Sequence, residues 1–143
     1  MIGALDREHI DAVLGSQVVG RIGVHADGRT YVVPVSYVYD GDAVYLHSPE
    51  GLKVKMMRTA PEVCFQVDDI QDLANWRSVI AWGRFEELTG DLAKAAIRLL
   101  FARLAPLSAS ETAGAAGHVP GGGTGVPYRI RLVERTGKYE SRR

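Results

Sequence analysis

The chain has little cysteine, no surplus of charge and no long apolar run. Its one cysteine, Cys64, cannot close a disulfide within the chain, so the pattern of a disulfide-stapled secreted scaffold is excluded and a reducing compartment is expected. Seventeen basic and seventeen acidic side chains cancel, which removes any bulk electrostatic pull toward nucleic acid or an anionic membrane surface. No apolar run approaches the roughly eighteen residues of a membrane span. The opening residues Met-Ile-Gly-Ala-Leu-Asp-Arg-Glu lack the basic stretch and apolar core of a secretory signal. A soluble, cytoplasmic protein without nucleic-acid or membrane partners is the expectation. The histidines at positions 9, 25, 47 and 118 and Cys64 show no zinc-ligand spacing. There is no strand-turn-helix nucleophile motif, and no internal repeat.

What is present fits a single domain spanning 1–143. A chain of 143 residues with 46% hydrophobic content buries about 68–70% of its unfolded surface, enough for a real core. Residues 21–58 organise it. Asp27-Gly28 and Asp40-Gly41 separate apolar-rich runs, and Asp-Gly tolerates the positive φ that tight hairpins need. The two turns predict a three-stranded meander: a strand from Arg21, a long strand Thr30 to Tyr39, and a short one Ala43 to His47. Apolar side chains on both faces of the long strand place it centrally, covered on both sides, in a closed barrel or a dimer interface. Pro34 in that strand has no N–H and belongs at an edge or bulge; the broken ladder leaves backbone groups free to meet something else. After the third strand, Ser48-Pro49-Glu50 reads as a helix start with Ser48 as N-cap. Lys53, Lys55 and Arg58 follow closely, so that helix start is a candidate anion site suited to phosphate.

Elsewhere the patterns predict a short helix from Asp6 to Leu14, a strand Val63 to Val67, a long strand Arg77 to Leu88, and a helix from Thr89 or Asp91 to about Leu104. Leu92, Ala96, Leu99, Leu100 and Leu104 form the apolar stripe of that last helix. A Gly/Ala/Ser-rich segment at about 106–126 reads as a mobile loop, followed by a final strand Tyr128 to Val133 and a charged tail. The fold class is mainly β with a few helices.

Several short motifs in order carry a family resemblance. They are Gly20-Arg21-Ile22-Gly23, Val33-Pro34-Val35-Ser36-Tyr37, Tyr45-Leu46-His47-Ser48, Gly51-Leu52-Lys53, Val63-Cys64-Phe65, Trp76-Arg77-Ser78-Val79 and Gly83-Arg84-Phe85-Glu86, resuming at Tyr128-Arg129-Ile130 and Thr136-Gly137-Lys138. Their order and spacing resemble the FMN-binding split-barrel proteins related to pyridoxamine 5'-phosphate oxidase, especially the branch with the nitroimidazole-resistance proteins.

The resemblance implies a six-stranded antiparallel split β-barrel, FMN as cofactor, and a homodimer with the flavin in the groove between subunits. It also implies oxidoreductase chemistry on a small acceptor, with NADH or NADPH as a possible donor. Lys53, Ser48, Arg77 and Ser78 become candidates for the phosphate, the backbone of Val33, Pro34, Val35 and Ser36 for the ring edge, and Trp76 and Trp82 for the walls. Each has an ordinary alternative: a surface lysine, an edge-strand proline, a core tryptophan. His47 matches a histidine near the flavin in nitroimidazole-resistance proteins and is the candidate catalytic residue. Its imidazole, ordinarily with a pKa of about 6.5, can exchange a proton at neutral pH, though it could equally be a satisfied strand-end residue. The long oxidases carry a C-terminal Trp and Arg segment that holds substrate phosphate. This chain ends its last strand at Thr136-Gly137-Lys138-Tyr139 without one. A non-catalytic protein that binds flavin, haem or deazaflavin is the alternative.

Overall fold

The computed structural model describes residues 1–107 and 125–142, and most of the expected loop at 106–126 lies outside them. Eight strands form one sheet: β1 (Ile2–Ala4), β2 (Val19–Ala26), β3 (Arg29–Ser36), β4 (Val38–Tyr39), β5 (Ala43–Ser48), β6 (Glu62–Asp72), β7 (Asn75–Glu87) and β8 (Val126–Glu140). Three helices, α1 (Arg7–Ser16), α2 (Leu52–Thr59) and α3 (Gly90–Leu104), accompany it. Of the two strands beyond the expected six, β1 of 3 residues is an addition beside β8, and β4 of 2 residues is the end of the expected strand Thr30 to Tyr39, split off to pair with β5.

The ladder runs β3-β2-β6-β7-β8-β5-β4. Its two ends are therefore consecutive in the chain. Tyr37 carries the backbone from β3 across to β4, so the sheet is brought round on itself by a covalent link and not by a closing ladder. The result is a split antiparallel barrel. Tyr37 is fully buried, receives Phe65 edge-on at 4.9 Å, and donates its hydroxyl to the Leu14 carbonyl at 2.6 Å.

That crossing corrects the expected meander. Asp27 and Gly28 take positive φ, 53° and 77°, and join β2 to β3 as predicted, and the Asp40-Gly41 turn joins β4 to β5, but the expected long strand is divided at Tyr37, and β3 itself does not pair with β5. The long strand is accordingly an edge and not a central strand, with Val32 65% exposed on its outer side. Its inner residues Val33 and Val35 pack on the core, which explains its two apolar faces. Pro34 sits at the edge, where its missing N–H breaks no second ladder.

The expected helix start is also corrected. Ser48 is the last residue of β5, paired with Val126, and the cap of α2 is Gly51. The ladder to β8 holds Ser48 extended, so the helix begins three residues later than a cap at Ser48 would give.

The β6–β7 hairpin is longer than the predicted strands, and β8 extends past Val133 into the predicted charged tail, ending at Glu140. At Gly83 the β7–β8 register shifts; the Arg131 carbonyl lies where a side chain would begin, so only glycine fits. Asp6 caps α1 as expected, accepting from the His9 N–H at 2.9 Å. On α3 Ala96, Leu100 and Leu104 are buried, while Leu92 and Leu99 from the expected stripe are exposed. The barrel interior is filled by alternate strand residues such as Ile22, Leu46, Phe65, Val79 and Ile130, with Val13 and Leu14 of α1 and Val54 and Met57 of α2 joining the same core.

Candidate functional site

Side chains alternate across a strand, so ladder partners share a face. The register of β3, β2, β6, β7 and β8 builds rows on the outside of the barrel. One row is Pro34, Arg21, Gln66, Ile80 and Thr136. On one side of it lies Val32, Gly23, Cys64, Trp82 and Glu134, and on the other Asp68, Ser78 and Lys138, with Ser36 at the β3 edge. The candidates Pro34, Ser36, Trp76 and Ser78 therefore belong to one outer face.

A polar band crosses that face. Arg21 Nη1 donates to Asp68 Oδ1 at 3.4 Å; Gln66 Nε2 donates to Asp68 Oδ2 at 3.1 Å and to Ser78 Oγ at 3.2 Å. Apolar groups flank it. A groove of about 690 Å³ runs over Gly23, Val32, Cys64, Trp82 and Val133, and a smaller depression of about 180 Å³ lies between Trp76, Ser78, Ile80 and Lys138. Trp76 is held by its indole N–H donating to Glu140 Oε1 at 3.0 Å. Arg21, Gln66 and Asp68 were not among the expected site residues. The signal was in the sequence: Gln66 sits between Phe65 and Val67, a polar residue alternating with core residues.

Arg77 is separated from its neighbours. Adjacent strand residues point to opposite faces, and Arg77 Nη2 pairs with Asp69 Oδ2 at 2.7 Å in a cleft of about 520 Å³ shared with Asp6, His9 and Tyr139. The structure thus does not bring Arg77 and Ser78 to one phosphate. Ser48 is likewise turned inward, its Oγ 2.9 Å from the Tyr128 hydroxyl and 4% exposed.

The remaining candidates flank the split. β3 with Val33, Pro34, Val35 and Ser36 forms one lip, and β4 with β5 forms the other, which carries His47 and leads into Lys53. Lys53 stands in the first turn of α2, half-buried. Among the described residues it has no ion-pair partner, and burial pushes its ammonium pKa below the usual lysine range. Arg58 is committed elsewhere, to Glu50 at 2.7 Å and Glu87 at 2.9 Å. A desolvated, unmatched cation favours an incoming anion, because burial disfavours the charge until it is paired. None of the three depressions is lined by Lys53, His47 or residues 33–36. His47 is half-buried, opposite Pro127 in the ladder. No helix of the described residues is long and apolar enough to cross a membrane.

The fold and this arrangement define a split-barrel protein with an amphipathic outer face and a lysine-bearing lip. The sequence profile of the family described as Pyridoxamine 5'-phosphate oxidase matches residues 6–139, and the chain belongs to that family. A FAD-binding protein from Mesorhizobium loti is similar at 29% identity, with 99% of this chain and 98% of that one covered and a TM-score of 0.85. A candidate 5-nitroimidazole antibiotic resistance protein from Bacteroides thetaiotaomicron shares the fold at 19% identity, 97% and 87% coverage and a TM-score of 0.74. RA0666 from Rhizobium meliloti (strain 1021), an uncharacterized protein, is 30% identical over 87 residues, 61% of this chain and 58% of that relative's length.

Proposed function

We propose that the chain is a flavoprotein that binds FMN at the split and over its outer face, as a homodimer, and transfers electrons to a small acceptor. The observation that carries this reading is Lys53, a cation partly withdrawn from water with no ion-pair partner among the described residues, at the start of a helix whose free N–H groups add positive potential. A phosphate would satisfy both. Family membership supports the same assignment.

The outer face suits an amphipathic ring. Arg21, Gln66 and Ser78 supply donors and acceptors, Pro34 keeps the β3 edge from closing against another strand, and Trp76 and Ile80 offer apolar walls. A bound flavin would supply the redox chemistry, leaving the protein to position it and shape its electrostatics. His47 on the β5 lip can hold or pass a proton through a ring nitrogen. The contiguous exposure of Val32, Ile80, Trp82 and Val133 is the surface a second copy would cover. A cytoplasmic location, consistent with the lone Cys64, belongs to the same proposal.

FAD in place of FMN is the second reading, favoured by the Mesorhizobium loti protein named for FAD binding. Mass spectrometry of the cofactor released from purified protein separates the two. Colourless protein that takes up neither flavin on titration overturns the proposal. Yellow protein that neither NADH nor NADPH bleaches removes its nicotinamide-driven electron transfer and leaves a binding role.

A further inference from the structure

Gly125 adopts φ +148°, a backbone conformation that residues with a side chain rarely take. It precedes β8, two residues before Pro127, the ladder partner of His47. An ideal Cβ built on Gly125 would stand 2.5 Å from His47 Cε1, 2.9 Å from Nε2 and 3.2 Å from Nδ1. These three atoms are the edge of the imidazole that carries both nitrogens. The ring therefore packs edge-on against the Gly125 backbone, closer than any side chain would allow.

We infer that Gly125 is a positioning residue for His47, its missing side chain providing the space that fixes the ring's orientation. The neighbouring ladder limits any escape. Ser48, next in the chain to His47, is tied through its hydroxyl to Tyr128 in the barrel interior, and β5 is paired with β8 from Ala43 to Ser48. A methyl group at 125 thus moves the imidazole in preference to the strands. The placement stands on geometry alone; its chemical consequence rests on the proposed flavin site.

Two measurements test the placement without flavin. In the wild-type protein, a nuclear Overhauser contact is expected between the His47 Cε1 proton and the Gly125 α-protons, and its absence overturns the inference. In urea unfolding, Gly125→Ala is expected to lower the midpoint, and to lower it measurably less in a His47→Ala background, where the backbone strain remains but the clash has lost its partner. An equal drop in both backgrounds would assign the whole cost to backbone strain and overturn the inference. A third measurement addresses the chemistry. If Gly125→Ala retains flavin affinity while reduction by NADH slows several-fold, His47 orientation matters to the reaction. Unchanged reduction, with His47 shown to have moved, removes that consequence. Protein that binds no flavin sinks the proposed function and leaves the contact and the unfolding cycle to decide the placement.

Discussion

Ser48 and Tyr128 face each other inside the barrel, their hydroxyl oxygens 2.9 Å apart. Together they form a buried polar pair between β5 and β8 among the apolar side chains of the core. Burial pushes the Tyr128 phenol up to about 12, partly opposed by the Ser48 hydrogen bond. The folded state therefore holds the phenolic proton more tightly than the unfolded chain, whose phenol has its ordinary pKa of about 10. Stability from this group is complete below pH about 10 and is lost as pH rises from there through about 12, by about 2–3 kcal/mol in all. Removing the hydroxyl removes the dependence. Tyr128→Phe should make the alkaline limb of a thermal-melting profile shallower, leaving the share of Tyr37, whose phenol burial also pushes up, while costing about 1–3 kcal/mol at neutral pH by stranding Ser48 Oγ. A variant with an unchanged alkaline limb would show that another group, such as the equally buried Tyr37, governs it.

Lys53 should be the cation that matters most for flavin binding. Losing one charge-assisted hydrogen bond costs about 1.5–3 kcal/mol, so Lys53→Ala is expected to weaken flavin affinity by roughly 10- to 100-fold. Arg77→Ala should change it far less, since Arg77 is turned to Asp69 on the opposite face. Fluorescence titration of the apoprotein with FMN measures both. The reverse ranking would return Arg77 to the phosphate and displace Lys53.

These two basic residues show where the sequence was legible. Local rules located the Asp27-Gly28 turn and the Asp6 cap and limited Pro34 to an edge or a bulge, because each depends on residues within a few places of one another. The Asp40-Gly41 turn is there as well, joining β4 to β5, but the single long strand between the two turns is not, because the crossing is a long-range choice: Tyr37 finds its hydrogen-bond partner 23 residues back at Leu14, and no local signal reports that. Ser48-Pro49 has the chemistry of a cap, but the ladder to Val126 takes precedence. The predicted strand runs through both Arg77 and Ser78, so alternation alone separates them; the resemblance groups them at one phosphate. The resemblance to the family supplied candidates in bulk, and strand facing sorted them.

Tyr37→Phe should test the link that brings the two ends of the sheet together. The hydroxyl satisfies the carbonyl of Leu14, one of the last residues of α1, where a helix leaves its carbonyls without internal partners. Deleting it strands a buried acceptor and is expected to cost about 1–3 kcal/mol, read as a lower urea midpoint with the slope unchanged. Since ring packing on Phe65 is retained, flavin affinity should follow only through stability. A loss of flavin binding in fully folded Tyr37→Phe protein would instead tie the crossing directly to the site.

Trp82→Glu should separate the dimer proposal from the flavin proposal. Trp82 is 39% exposed on the outer face, at the wall of the apolar groove with Val32, Cys64 and Val133. If a second copy covers this groove, a carboxylate there must be withdrawn from water among mainly apolar neighbours, with Arg84 the cation lining the groove, and that desolvation outweighs what one tryptophan contributes to a contact. Light scattering should then report a monomer, while the fold persists because the residue lies outside the core. Flavin binding should fall with dimerisation if the cofactor lies between subunits. A monomer that keeps its flavin would confine the site to one chain, and a variant that stays dimeric would move the interface off this face.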